Sequence, residues 1–269
     1  MKKYWYYYKN LVVSFAEHRF RAFIWFLSDT LNCLILPFVW LGVFGTRSSV
    51  LGYSPRDIIV YSILLALLNS TVISHIENEI ARLIRNGEIS NYFIKPISFF
   101  KVTFLIESNY RLITAITVGL GLIIVPAILL SGFRPDLFQL NLSVLETMFF
   151  ILSCLIAFLL CFMMTYTIGI LNFWFTENSG LADLYWIAFT IFSGEFGPLI
   201  FFPNWLSMIA NFLPFKYIIY FPIQIYLSKL DLTTVLLGIG MQLMWLLLAY
   251  LVAHHLWQLG IKKYQAYGN

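Results

Sequence analysis

Residues 147–176 read TMFFILSCLIAFLLCFMMTYTIGILNFWFT, a stretch in which no side chain is charged. A helix needs about 20 apolar residues to cross the hydrocarbon core of a bilayer, so this stretch is long enough to span a membrane. The whole chain has the same character: 60% of its 269 residues are hydrophobic, 11% are charged, and the mean hydropathy is +0.81. Because soluble domains carry roughly 25% charged residues, this composition excludes an ordinary soluble enzyme, a disordered chain and a disulfide-stapled secreted domain. The sequence predicts an all-α membrane protein.

Other windows without charged residues mark further spans around this stretch. They are Thr30–Thr46 with an apolar lead-in from Ala22, then Ile58–Ile76, Leu112–Phe133 and Leu232–Ile261. The region 184–228 is also apolar, but residues that break helices interrupt it: Gly194, Gly197, Pro198, Pro203, Pro214 and Pro222. A helix cannot run straight through so many breakers. We therefore predict one span at Leu181–Phe192, followed over 193–228 by short re-entrant helices in the outer half of the membrane, which gives six spans in a single domain, 1–269.

The distribution of Lys and Arg predicts the orientation, because cytoplasmic loops are enriched in these residues. A cytoplasmic N-terminus leaves few of the 17 Lys and Arg residues outside, namely Arg47, Arg56, Arg134, Lys216 and Lys229. Both termini are then cytoplasmic, as an even number of spans requires. The net charge of +4 reflects this topology and does not indicate nucleic-acid binding. Aromatic and charged residues interleave over 1–20, which predicts an interfacial helix on the inner leaflet, with a frayed tail as the alternative.

The inventory of reactive groups argues against an enzyme. The sequence contains no Walker-type phosphate loop, dinucleotide fingerprint or nucleophile elbow. Cys33, Cys154 and Cys161 fall within apolar spans, where small packing residues are expected rather than metal ligands. We expect no cofactor and no metal in this chain.

Three carboxylates fall within or near the predicted spans: Asp29, Glu146 and Glu195. An intramembrane carboxylate is by default a functional hypothesis. For Asp29 a structural ion pair is the favoured interpretation. For Glu195 we favour a cap on the short helix that follows, and a transport role stays open for both.

The longest predicted cytoplasmic loop runs from Glu77 to Arg111, and its first part, 77–100, has a distinct pattern. One apolar stripe there comprises Ile80, Leu83 and Ile84. Asn86-Gly87 ends that helix, and a second short amphipathic helix follows up to Lys95-Pro96. Two short helices around a turn predict a knob suited to dock into a groove of another protein, although a knob lying on the lipid surface fits the composition as well.

The knob resembles the coupling segment of ABC-2-type permeases, the membrane subunits of ATP-binding-cassette exporters. The matching positions are Arg85, Gly87, Glu88, Ile89, Phe93, Lys95, Pro96, Ile97 and Ser98. Ser90 stands where the family often has an acidic residue. Two other regions resemble the same family, the breaker-rich region between the fifth and sixth spans and the tail 259–268.

The resemblance implies a transport subunit that hydrolyses no ATP itself. Two separate ATPase subunits would bind ATP and Mg²⁺, and a second permease, identical or related, would complete the transporter in the lipid bilayer. The residues expected to contact the ATPase are Arg82, Arg85, Asn86, Gly87, Glu88, Ile89, Tyr92, Phe93, Lys95 and Pro96. The re-entrant region would comprise Glu195, Gly197, Pro198, Pro203, Trp205 and Pro214.

By the same analogy, the substrate path would run along the first, second and fifth spans. Polar candidates on it are Asn32, Asn69, Ser70 and Thr71, although small polar residues also hold helices together in lipid. The apolar spans favour an amphipathic or lipid-like cargo that is exported across the plasma (inner) membrane of a bacterial cell. A secondary transporter, a membrane-embedded enzyme and a non-transporting membrane anchor are the alternatives, although internal repeats and midplane charges typical of secondary carriers are not evident.

Overall fold

The computed structural model describes residues 47–94, 96–131, 143–175 and 179–267, together with Val39, Gly42, Phe44 and Gly45. The interfacial helix expected over 1–20, nearly all of the first span, and Asp29, Asn32 and Lys95 lie outside the described residues.

Within the described ranges the chain is built of helices and contains no β-strand, which confirms the all-helical class. The α-helices are, in chain order, α1 Pro55–Thr71, α2 Ile76–Arg85, α3 Ser90–Ile94, α4 Phe99–Ser131, α5 Val144–Ile170, α6 Ser179–Phe192, α7 Asn204–Asn211, α8 Tyr220–Tyr226 and α9 Leu232–Tyr267. Short 3₁₀ turns lie at Leu171–Phe173, Leu199–Phe201 and Phe215–Tyr217.

The helices α1 and α5 begin with the same capping motif. The Ser54 hydroxyl accepts the backbone N–H of Asp57 at 3.2 Å, and the Asp57 carboxylate accepts the N–H of Ser54 at 3.0 Å. Ser143 and Glu146 form the equivalent pair at the start of α5, with both distances 3.1 Å. These capping boxes satisfy N–H groups that the first turn of a helix leaves without partners. They explain why α1 and α5 begin where they do.

The described residues contain three helical segments long and apolar enough to cross a membrane: Pro55–Arg85, Val144–Phe173 and Leu232–Tyr264. The count rises to four if Asn204–Asn211 and Phe215–Tyr226, which meet at a bend of 78°, form one broken span. The apolar helix at 180–192 is shorter. Three of the predicted spans are therefore long apolar helices, and the count of six remains a prediction.

The boundaries around the predicted cytoplasmic loop differ from expectation. The second span stops at Thr71, and the chain turns at 72–75 before α2 begins. The long helix α4 starts at Phe99, so residues 99–111 are helical rather than loop. Charge had suggested a loop there, but Glu107 and Arg111 are both buried and paired with each other. A buried ion pair is thus compatible with a helix that enters the bundle.

The helix α5, formed by the charge-free stretch quoted at the outset, is the centre of the described bundle. Its residues Ala157, Leu160, Cys161 and Phe162 have no exposed surface. The helices α9, α2 and α8 all pack against α5, whereas α1 packs mainly along α4. The charge-free stretch at 147–176 therefore forms the helix against which three other described helices pack.

Close contacts at glycine positions set the distances between several of these helices. A Cβ added at Gly238 of α9 would lie 2.1 Å from Cε2 of Phe221 on α8. At Gly260, further along α9, it would lie 2.3 Å from Cδ2 of Phe173. In contrast, Gly240 has no atom within 4 Å of the position a Cβ would take. Gly238 and Gly240 thus lie within one turn of each other on α9, but Gly238 is in close contact with Phe221 and Gly240 faces open space.

We predict that Gly238→Ala lowers the thermal stability of the purified protein in nanodiscs, whereas Gly240→Ala does not. Overpacking a close contact costs about 1–3 kcal/mol, while Gly→Ala at an open helix position stabilises by roughly 0.5–1 kcal/mol. The midpoint of thermal unfolding measures both variants against the unaltered chain. Equal midpoints for the two variants would contradict the close contact between α8 and α9.

A buried ion pair within α4 lies against the end of α1. The Nε of Arg111 lies 2.7 Å from Oε1 of Glu107, and the Arg111 guanidinium also reaches the carbonyl of Ser70 at 3.3 Å. The Thr114 hydroxyl donates to the same carbonyl at 2.8 Å. The last carbonyls of a helix lack partners within it. Side chains of α4 therefore complete the end of α1.

Removing one partner of this pair should destabilise the protein more than removing both. We expect Arg111→Met to cost about 3–5 kcal/mol, since it leaves the Glu107 carboxylate buried without its cation. The double variant Glu107→Gln with Arg111→Met should recover part of that loss. Thermal unfolding in nanodiscs measures the series. A double variant less stable than Arg111→Met would show that the unpaired charge is not the cause.

Candidate functional site

The helix α2 is held against the bundle by its apolar stripe. Ile80, Leu83 and Ile84 are all buried, and Ile80 has no exposed surface. Ile80 lies so close to α5 that a Cβ added at Gly169 would be 2.8 Å from the Ile80 Cβ. The stripe predicted from the sequence therefore packs against protein. It does not face lipid, and it does not face a partner in this conformation.

A glycine turn joins α2 to α3. Gly87 has a φ of +73°, a left-handed conformation that residues with a side chain rarely adopt. Its N–H donates to the Ile84 carbonyl at 3.1 Å, and the N–H of Ile89 donates to the Leu83 carbonyl at 3.1 Å. The Ile89 side chain is fully buried beneath the turn. The prediction that Asn86-Gly87 ends the helix is confirmed, and Ile89 lies under the surface instead of on it.

Arg82 holds the exposed side of this turn together. Its guanidinium pairs with Glu79 at 2.6 Å and with Glu88 at 3.1 Å, so it bridges α2 to the turn. The Asn86 side-chain amide donates to Glu88 at 3.0 Å. The hydrogen bond from Asn86 and the charge of Arg82 hold the pKa of Glu88 below its usual range. The ion pair between Arg82 and Glu88 therefore persists to lower pH than a glutamate with an ordinary pKa would allow.

The described residues left at the surface form a tip in which a cationic side chain lies beside apolar ones. Phe93 is 41% exposed and Ile94 is 83% exposed. Arg85, Asn86 and Asn91 are exposed beside them, and Arg85 forms no ion pair with the described residues. We name these five residues the docking tip. Pro96 is exposed just beyond it, and Tyr92 is half-buried with its ring 5.0 Å from that of Phe99.

The end of α9 supports the tip from behind. The Tyr264 hydroxyl donates to the Gly87 carbonyl at 3.3 Å. The Phe93 ring lies 6.0 Å from the Tyr264 ring and 6.4 Å from the Trp257 ring. The sequence connected this tail to the knob only through a family resemblance. The spacing of Trp257, Gly260 and Tyr264 on one face of a helix was the signal that could have predicted the contact.

The polar residues predicted along the substrate path lie at the end of α1. The hydroxyls of Ser70 and Thr71 donate to the Leu67 carbonyl at 2.9 Å and 2.7 Å, within their own helix. Ser70 is buried against α4, and Oδ1 of Asn69 is buried without a partner among the described residues. The hydroxyls of Ser70 and Thr71 are thus used for hydrogen bonds within α1. Oδ1 of Asn69 is the polar atom of this group that has no partner among the described residues.

The predicted re-entrant region is a chain of short helices that begin at prolines. Pro198 precedes the 3₁₀ turn at 199–201, Pro203 precedes α7, and Pro214 precedes the turn at 215–217. Gly197 has a φ of +140°, and Trp205 is 63% exposed on α7. Short elements therefore begin directly after three of the prolines that were expected to interrupt a long helix.

Glu195 does not act as the cap that we expected. The 3₁₀ turn at 199–201 has no side-chain cap, and Glu195 is half-buried in the preceding turn. The break is instead tied down by Tyr61, whose hydroxyl donates to the Gly194 carbonyl at 2.6 Å. The N–H of Tyr220 donates to the Ser193 carbonyl at 2.9 Å. Partners distant in sequence have taken the place of a local cap.

Sequence reasoning missed a buried acidic residue, Glu77, because it was assigned to a loop. Glu77 is 2% exposed and lies in the first turn of α2. Its Oε1 accepts hydrogen bonds from the Trp186 indole N–H at 3.2 Å and the Asn78 amide at 2.9 Å. No group of three or more His, Cys, Asp or Glu side chains in the described ranges is placed to hold a metal ion.

Comparison with known protein families identifies the chain. Residues 31–268 match the family described as ABC-2 family transporter protein. Searches of the curated proteins and of the solved structures find no match. The family match covers nearly the whole sequence, including the 76–94 segment, the re-entrant region and most of the tail. The chain therefore belongs to the ABC-2 family of transporter proteins and is a membrane permease component of an ABC transporter.

Proposed function

We propose that this permease is an exporter subunit that couples ATP hydrolysis by separate ATPase subunits to movement of an amphipathic cargo. Two ATPase subunits bind ATP and Mg²⁺ and dock on two permeases, identical or related. In this topology six spans lie in the plasma membrane of a bacterial cell, and both termini are cytoplasmic. The bias of Lys and Arg toward one set of loops supports the orientation.

The observation that carries this proposal is that the segment 76–94 has one exposed side and one side buried in the bundle. On one side it presents an exposed docking tip with Phe93, Ile94 and the exposed Arg85. On the other side Ile80, Leu83, Ile84 and Ile89 are buried in the bundle. An aromatic or aliphatic anchor beside an Arg is a common arrangement at the centre of protein–protein interfaces. A force applied at the tip would pass directly into the packed helices.

The route from the tip into the spans is short. The helix α2 follows α1 across residues 72–75, where Leu68 accepts the N–H groups of both Val72 and Ile73. Among the described residues, the acceptor of the Ser74 N–H is the sulfur of Cys161, at 3.3 Å, and sulfur is a weak acceptor. This turn is thus less strongly hydrogen-bonded than the helices beside it. Movement of α2 would change its angle to α1 at this point.

We predict that Phe93→Asp and Gly87→Pro separate ATP hydrolysis from transport. Phe93→Asp places a charge at the centre of the docking tip. Gly87→Pro removes the N–H that bonds to Ile84 and cannot adopt a φ of +73°. Loss of an interface anchor costs about 1–3 kcal/mol, which corresponds to roughly a tenfold or greater loss of association.

The measurement is cargo transport and ATPase activity of the reconstituted complex, with insertion verified by purification in nanodiscs. Phe93→Ala and Phe212→Ala form a matched pair, because both phenylalanines are exposed, at 41% and 74%, and only Phe93 belongs to the docking tip. Phe93→Ala should weaken co-purification with the ATPase, and Phe212→Ala should not. Normal transport by Phe93→Asp would refute the assignment of the tip.

A further inference from the structure

Glu77 is the one buried charge in the described ranges whose side chain lacks a counter-ion of full charge. The buried charged residues there are Glu77, Glu107 and Arg111, and the last two neutralise each other. The carboxylate of Glu77 uses Oε1 for two hydrogen bonds, while Oε2 is buried and has no partner among the described residues. A buried polar atom without a partner is costly in a folded protein. This oxygen is therefore a position at which a ligand could be bound.

A helix N-terminus and two N–H donors lie next to the Glu77 carboxylate. It lies in the first turn of α2, where the helix N-terminus attracts negative charge. Two N–H donors on Oε1 add charge-assisted hydrogen bonds. The helix end supplies the equivalent of about half a positive charge. A full cation beside Oε2 would complete the compensation.

An aromatic face lies next to this carboxylate. The indole of Trp186 on α6 donates its N–H to Glu77, and the imidazole of His75 lies over the indole with ring centroids 4.4 Å apart. Nδ1 of His75 is 3.7 Å from Oε1 of Glu77. His75 thus occupies the place between a carboxylate and a tryptophan face that an organic cation would take. Such pairs of groups recognise ammonium ions through ionic and cation–π attraction.

His75 can be displaced from this position more easily than its neighbours. Its side chain is 48% exposed, whereas that of Glu77 is 2% exposed. His75 stands at the N-cap of α2 and makes no side-chain capping hydrogen bond there. It belongs to the weakly hydrogen-bonded turn at 72–75. The side chain therefore covers the carboxylate without being fixed over it.

The chemistry of the neighbouring surface fits an amphipathic cation better than a metal ion. Ile187, the residue that follows Trp186 on α6, is 56% exposed. An alkyl chain could lie along this side chain. In contrast, Ca²⁺ requires six to eight oxygen ligands and Mg²⁺ requires six, and among the described residues Glu77 offers a single carboxylate oxygen without a partner here.

We propose that Glu77, Trp186 and His75 form a site that binds the single ammonium group of an amphipathic cargo. The inference rests on the proposed transport function, since α1 and α6 correspond to the second and fifth spans along which the cargo would move. Oε2 of Glu77 accepts from the ammonium group, the Trp186 face contacts it, and His75 moves aside on entry. ATP-driven movement of α2 would carry Glu77 away from Trp186 and release the cargo.

The test is photolabelling of the full chain in nanodiscs with dodecylamine that carries a diazirine in its alkyl chain. No ATPase subunit and no nucleotide are present. We expect saturable labelling of residues 72–78 and 183–190, located by mass spectrometry. Unlabelled dodecylamine should compete, and the uncharged dodecanol should not. Labelling elsewhere, or equal competition by dodecanol, would overturn the proposal, and neither result depends on a variant that must fold.

A variant pair sharpens the test. Glu77→Gln keeps the shape of the side chain and removes its charge, and should weaken labelling by about tenfold or more, since a hydrogen bond to a charged group contributes about 1.5–3 kcal/mol. Asp231→Asn removes an exposed carboxylate at the start of α9 and should leave labelling unchanged. Labelling of Glu77→Gln equal to that of the unaltered chain would refute the site.

This result is independent of the test of the docking tip. If the cation binds but Phe93→Asp remains coupled, the coupling assignment fails and the site stands. If Phe93→Asp is uncoupled but dodecylamine does not label the site, the cation site fails and the coupling assignment stands.

Discussion

Contact between Ile80 of α2 and the backbone of α5 at Gly169 is the constraint on which the functional end of this permease depends. No side chain stands between the two helices at this point, because a Cβ at Gly169 would overlap Ile80. The contact brings the apolar stripe of α2 into the bundle and turns its charged side outward. Arg82 can then bridge Glu79 and Glu88 at the surface, and the segment after the Gly87 turn leaves Ile94 and part of the Phe93 side chain exposed. A larger residue at 169 would move all of these groups together.

Aromatic packing extends this constraint to the tail. The rings of Phe99 and Trp257 stack at 5.1 Å with 3° between their planes, and Phe173 lies 5.8 Å from Trp257 and 5.9 Å from Tyr264. Aromatic pairs contribute about 0.5–1.5 kcal/mol each beyond the area they bury. Together they connect α4, the 3₁₀ turn after α5, and α9. The same segment therefore receives support from helices that are far apart in the sequence.

The class of protein and several helix positions could be predicted from the sequence because both depend on local properties. The run of uncharged residues at 147–176 predicted α5, and Asn86-Gly87 predicted the end of α2. Tertiary partners decided the features that could not be predicted. Arg111 was assigned to a loop because its partner Glu107 and the Ser70 carbonyl cannot be inferred from charge counting. Glu195 was expected to cap a helix, but Tyr61, far away in sequence, fixes that turn.

In the candidate site, too, some features follow from the local sequence and others depend on contacts between distant residues. The segment that contains the docking tip was predicted from the sequence, and its contact with the ATPase stays a prediction, but which of its residues are exposed depends on the packing of α2. Ile89 was expected to contribute to the contact and lies buried, whereas Ile94 is exposed and was not singled out. Glu77 and Trp186 are separated by more than one hundred residues, so no local pattern relates them.

Site-specific cross-linking tests the central claim, that the segment 76–94 is the dock for the ATPase, most directly. A photoreactive p-benzoylphenylalanine would replace Asn91, which is exposed in the docking tip, or Asp231, which is exposed at the start of α9. The complex would be purified with its ATPase subunit and irradiated. The account predicts a cross-link to the ATPase from position 91 and none from position 231. A cross-link from position 231 together with none from position 91 would contradict it.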